Sequence, residues 1–201
     1  MVLRSFIEKD PAYSFVAARA LTNKLYKEVI GADVIDFEPA KLEAQIRKTF
    51  IDRIREGVSL GRLDPRMLTF NLEYLASELV NERDNLLNYL GIQTLHDRYF
   101  TKHPETKTIL ETPQMFWMRV AMGVALQEKD KEARAVEFYR INSTLHFVPS
   151  SPTLFHAGTV HPQLSSCYLT TIEDDLNNIF KSLGDNAQMS KWAGGVANDW
   201  S

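Results

Sequence analysis

The 201-residue chain contains one cysteine, Cys167, which follows two serines at the end of the stretch SSPTLFHAGTVHPQLSSCYL, Ser150 to Leu169. A thiol can act as nucleophile, metal ligand or redox partner, or pack as an inert small hydrophobe. No papain-like signature surrounds Cys167. His156 and His161 lie five apart nearby, but a zinc site needs three or four ligands with Cys or His at short spacing, and no second pair exists. A metal site is therefore rejected. Further on, AGGVAND (Ala193 to Asp199) holds two adjacent glycines without a GxGxxG pattern or a following Lys-Ser/Thr, so it is not a phosphate-cradling loop. Two glycines at a strand are better explained by a close backbone approach or a bulge. Asp174 and Asp175 head a predicted helix, where carboxylates ordinarily cap free N–H groups.

The elements that must hold these residues are mostly helical. Asp10-Pro11 is a helix-start pair; Tyr13, Ala17, Leu21, Leu25 and Val29 then recur every four residues up to Gly31. A second helix is predicted from Pro39 to about Gly57, with Leu42, Ile46, Phe50 and Ile54 on one side. Asp64-Pro65 repeats the start signal, with Leu68, Leu72, Leu75 and Leu79 behind it. Thr112-Pro113 does so again before the apolar QMFWMRVAMGVALQ, and a further helix runs from about Lys131 to Asn142. NYLGIQTLHDRYFT, between them, reads as a short strand or extended connection.

From Leu145 the texture changes. LHFVPSSPTLFHAGT and SSCYLTTI read as strands with turns. DDLNNIFKSLGDNAQMSKW reads as an amphipathic helix with Leu176, Ile179, Phe180 and Leu183 on its apolar side, and AGGVAND as another buried strand. Strand, helix, strand is the opening of an α/β unit.

The net charge of −3 gives no basic field for nucleic acid or an anionic membrane. No apolar run is long enough to span a bilayer, and the first residues lack a secretory h-region. A single cysteine fits a reducing compartment, so a cytoplasmic location is expected.

SSPTLFHAGTVHPQLSSCYL resembles the first barrel-strand region of the large, catalytic subunit of class I ribonucleotide reductase. FIEKDPAYSFVAARAL, HDRYF and ETPQMFWMRVAMGVAL resemble that family's helical domain, in the same order. The resemblance implies a mainly α-helical domain over 1–144, followed over 145–201 by the first strands and helix of a ten-stranded α/β barrel. It implies that Cys167 is a redox-active thiol that reduces the ribose together with a distant cysteine. Thr153 and Ser166 match positions that hydrogen-bond the substrate's phosphates or ribose. Ala193 and Gly194 are where backbone would approach substrate. Asp174 matches the acid that holds the ribose of the specificity effector, and the helix after it resembles one that pairs across a dimer.

Also implied are a nucleoside di- or triphosphate substrate and a dNTP or ATP effector, with no cofactor held directly. The implied partners are a separate di-metal subunit supplying the radical, a second large subunit, and thioredoxin or glutaredoxin as reductant. A complete subunit of this kind would also hold an ATP-binding cone, the thiyl-radical cysteine and the partner of Cys167. None is in these residues, so the expectation is a portion of the subunit that turns over only with the remainder. The alternative expectation is a non-catalytic fragment that binds nucleotides or whole subunits and modulates assembly.

Overall fold

A computed structural model describes residues 2–31, 33, 38–192 and 194–200. Its order is α1 (Ala12–Ile30), α2 (Pro39–Ser59), a 3-10 turn (Pro65–Thr69), α3 (Leu72–Ser77), a second 3-10 turn (Asn81–Leu86), α4 (Tyr89–Thr94), a π-turn (Leu95–Tyr99), α5 (Pro113–Ala125), α6 (Lys131–Ser143), α7 (Ser151–His156), β1 (Cys167–Thr171), α8 (Leu176–Lys191) and β2 (Gly195–Asp199). The chain is mainly helical, with two strands at its end.

Helix α5 organises the helical part. Every residue from Pro113 to Met122 is buried, the condition of a helix that is apolar all round. Phe116, Met118, Val120, Ala121 and Met122 are wholly inaccessible, and each large apolar side chain so buried contributes roughly 1.5–3 kcal/mol. The core continues through Leu25 and Val29 of α1, Phe50 and Ile54 of α2, and Leu154 and Ala157 at α7.

A polar network threads this core. The Tyr26 hydroxyl donates to Asp84 Oδ2 at 2.8 Å, and Gln114 Nε2 donates to Asp84 Oδ1 at 2.6 Å. Tyr139 in turn donates to Gln114 Oε1 at 2.6 Å and accepts from the Val80 N–H at 2.9 Å. Burial raises the Asp84 carboxyl to about 7, against the hydrogen bonds from Gln114 and Tyr26 that favour its charged form. Its folded value lies above its unfolded one, so the folded state holds a proton that the unfolded state has released. Stability should then fall as pH rises from 4 to 7, by up to roughly 1.4 kcal/mol per pH unit, and level off above 7. In Asp84→Asn the amide can accept from Gln114 and donate to Tyr26, so the slope should vanish and stability at pH 8 should rise. Urea melts at pH 5, 6.5 and 8 measure this, and equal slopes in both proteins would contradict it.

Two stretches expected to be extended are helical. Residues 88–99 form α4 and the π-turn because Asn88 accepts the Gly91 N–H at 2.8 Å, and Ile92 and Leu95 face the core three residues apart. The PSSPTLFH segment forms α7: Pro152 sits in its first turn, where its missing N–H costs nothing, and Leu154 is buried. The helix expected after Asp64-Pro65 is divided by extended backbone at Phe70, and Asn71 caps the second piece by accepting the Tyr74 N–H at 3.0 Å. At the start of α1 the helix begins one residue late, with Asp10 accepting from the Ala12 N–H at 2.9 Å.

β1 and β2 pair in parallel, with Cys167 opposite Gly195 and Thr171 opposite Asp199, and α8 crosses between them. The expected apolar side of α8 is not its packed side. Leu176, Phe180 and Leu183 are 67, 65 and 50% exposed, whereas Ser182 and Asn186 are buried. Asn186 donates to Asn198 Oδ1 on β2 at 2.7 Å, so a polar contact sets the rotation of the helix.

Candidate functional site

Cys167 opens β1 with its thiol exposed. The Ser166 hydroxyl lies 3.7 Å from Sγ, and the Ser166 carbonyl accepts the Gly195 N–H at 2.8 Å. The parallel register therefore brings the glycine backbone of β2 beside the thiol. Gly194 is held by an N–H donation to the Met189 carbonyl at 3.0 Å. A Cβ on it would stand 2.8 Å from the Tyr168 ring and 2.9 Å from that carbonyl, which gives the glycine a packing reason of its own. Ala193 lies outside the described residues.

Thr153, on α7, is connected to this group through the segment before the cysteine. Its hydroxyl donates to the Leu164 carbonyl at 2.9 Å, so its proton is committed and the oxygen is left to accept, with the Ser150 hydroxyl 3.4 Å away. Gln163, which sequence reasoning passed over, clamps the same segment. Its Oε1 accepts from the Ser165 N–H at 2.6 Å and the Tyr168 hydroxyl at 3.0 Å, while Nε2 donates to the Trp192 carbonyl at 3.1 Å. One amide thus joins the approach to β1, the strand itself and the end of α8. In the sequence it is a single amide two residues before the double serine.

The two aspartates separate into different roles. Asp175 is the cap of α8: its Oδ2 accepts the Asn178 N–H at 2.9 Å, and Asn178 Oδ1 accepts the Glu173 N–H at 3.1 Å. Asp174 is exposed and has no hydrogen bond or ion pair among the described residues. It lies past the C-terminal end of β1, whereas Cys167 starts the strand, and the strand itself spans about 13 Å from Cys167 to Thr171 at 3.3 Å per residue step. Ser166, Cys167 and Gly194 thus cluster at one end, Thr153 joins them through Leu164, and Asp174 stands at the other end.

Behind α7, Arg119 of α5 fixes the position of this group. It is 1% exposed and grips Glu111 with Nε on Oε2 at 2.9 Å and Nη2 on Oε1 at 3.0 Å. Its Nη1 donates to the Ala157 carbonyl at 2.7 Å. Beside that contact, α5 and the α7 turn meet backbone to backbone: a Cβ on Gly123 would fall 2.0 Å from the Gly158 nitrogen. Among the described residues, no three His, Cys, Asp or Glu side chains converge to hold a metal ion.

A family profile described as ribonucleotide reductase, all-alpha domain, matches residues 85–162, from the turn before α4 to just past α7. The ribonucleoside-diphosphate reductase subunit alpha of Chlamydia muridarum is 49% identical over all 201 residues. The chain belongs to the ribonucleotide reductase large-subunit family. Its similarity reaches the subunit alpha of Helicobacter pylori, 36% identical over 95% of the chain, and the large subunit of Danio rerio, 31% identical over 94%. The chain spans about a fifth of the length of these relatives: 19, 23 and 22% respectively. It corresponds to a part of such a subunit. Among its described residues no helix is long and apolar enough to cross a membrane.

Proposed function

We propose that these residues supply one of the two reducing thiols, part of the substrate site and part of the effector site of a ribonucleoside-diphosphate reductase. In each turnover the ribose 2′-hydroxyl leaves as water, a hydrogen takes its place on carbon 2′, and two thiols become a disulfide. Cys167 is one of those thiols; the other belongs to the remainder of the subunit, since the 201 residues hold a single cysteine. The reaction asks the thiol to donate a proton and share an electron pair, so accessibility matters more than a strongly depressed pKa.

Around it, Ser166 and the backbone at Gly194 form the substrate side, with Thr153 accepting from a ribose hydroxyl; Ala193, outside the described residues, is assigned to the same side by its place in the sequence. Acceptance is the role left to Thr153 while its proton is held by Leu164. Asp174 accepts from the ribose of a dNTP or ATP effector. The reading is supported most by the exposed thiol beside a seryl hydroxyl and a glycine backbone, with an uncommitted carboxylate at the far end of the same strand.

We assign residues 1–144 to the helical domain and 145–201 to the opening of the ten-stranded barrel. Parallel strands are normally covered on both faces, and Leu169, 86% exposed on β1, fits a sheet that continues. The partners on this reading are the remainder of the subunit, a radical-supplying di-metal subunit, a second large subunit and a thioredoxin or glutaredoxin, all in the cytoplasm.

The paired aspartates test the assignment. Asp175→Ala should lower stability by about 1 kcal/mol through loss of the cap. Asp174→Ala should leave melting unchanged and weaken effector binding at least tenfold in the complete subunit. Unchanged effector affinity in Asp174→Ala would remove that residue from the effector site.

A further inference from the structure

A second feature, independent of the reductase assignment, lies where the π-turn, the α7 turn and the end of α8 meet. A cleft of about 240 Å³ is lined there by Arg62, Arg98, His156, His161 and the rings of Tyr99, Phe155 and Trp192, with no acidic side chain in its wall among the described residues. In a chain of net charge −3 this is a local concentration of positive charge.

Both guanidinium groups are uncommitted. Arg62 and Arg98 are exposed, and neither side chain has a hydrogen bond or ion pair among the described residues. Arg47 and Arg134, by contrast, are paired with Glu43 and Glu137. Ring pairs build the cleft wall. Tyr99 and Phe155 stack with centroids 4.5 Å apart, and the His161 ring lies 4.4 Å from Trp192. His156 is half-buried, and its pKa is lowered by burial first and then by the positive charges of His161 and Arg119. Among the described residues, the cleft wall thus sets two guanidinium groups beside two imidazoles with no carboxylate between them.

We infer that this cleft binds the phosphate group of a small molecule, held by the guanidinium forks of Arg62 and Arg98 with imidazole donors from His156 and His161. Planar guanidinium donors match the tetrahedral oxyanion in charge and geometry, and aromatic walls limit the water that would screen the contact. Among the described residues, Thr153, Ser166, Cys167 and Gly194, assigned above to the substrate and the redox step, do not line the cleft.

Inorganic phosphate is the probe. In the complete polypeptide, titration should give saturable shifts of the His156 and His161 ring signals, and calorimetry should give the same dissociation constant. The double variant Arg62→Ala/Arg98→Ala should raise that constant at least tenfold without changing the melting temperature, because both side chains are exposed and unpartnered. The control Arg55→Ala/Arg140→Ala removes the same charge from other exposed positions and should leave it within twofold. Absence of saturable binding, an unchanged constant in the first variant, or an equal loss in the control would each overturn the proposal.

Discussion

Replacing Arg119 by methionine is expected to destabilise the protein by about 3–5 kcal/mol. The side chain is buried against Glu111, which is itself only 7% exposed, so the substitution strands a carboxylate whose remaining partner is the Thr101 N–H at 2.6 Å. Removing one member of a buried pair costs far more than the pair contributes over an apolar substitute. The double variant Glu111→Gln/Arg119→Met, which leaves no buried charge and keeps an acceptor for Thr101, should recover most of the loss. Chemical unfolding of the three proteins decides it. A single-variant loss under 1 kcal/mol would mean that Arg119 does not hold this corner together. Function should follow in part, because Arg119 also donates to the Ala157 carbonyl and so sets where α7 and Thr153 stand.

Cys167→Ser is expected to leave folding within about 0.5 kcal/mol of the parent and to remove dithiol-dependent turnover of the complete subunit. Cys167 is exposed at the start of a strand, and a hydroxyl of nearly the same shape disturbs no packing there. A serine cannot enter a disulfide, so the electrons for removing the 2′-hydroxyl have no source. Turnover at the parental rate would exclude Cys167 from the chemistry.

Most of the helical body was legible because its signals are local. Proline after an Asp or Thr marks a first turn, and buried residues recurring at three or four positions mark a face; α1 follows both rules, α5 the first, and α2 and α6 the second. The failures share another cause. In YLGIQTLHDRYF the β-friendly residues were outvoted by the Asn88 cap and by core contacts of Ile92 and Leu95 that no local pattern announces. In SSPTLFH, proline was read as breaking a strand when it was starting a helix. The α8 stripe was read correctly as amphipathic, yet Asn186 bonding to Asn198 turns its polar side inward, a partner choice set twelve residues away.

The candidate site was named through resemblance rather than physics. Nothing in the types of Ser166 and Cys167 distinguishes a redox thiol from a quiet one, whereas the register that brings Gly195 beside Cys167 needed coordinates. Coordinates also separated Asp174 from Asp175, adjacent residues of one type whose difference lies in which carboxylate reaches the Asn178 N–H. Gln163 escaped notice because a single amide joining three segments leaves no periodicity to read.

The central claim is that Cys167 is oxidised while a ribonucleotide is reduced. The complete subunit, pre-reduced and freed of external thiols, should be mixed with its radical-supplying partner and a ribonucleoside diphosphate for a single turnover, then alkylated and mapped by mass spectrometry. The peptide holding Cys167 should become disulfide-linked to a second cysteine of the same subunit, in a yield matching the deoxyribonucleotide formed. Product formed in that yield while Cys167 remains a free, alkylated thiol would contradict it.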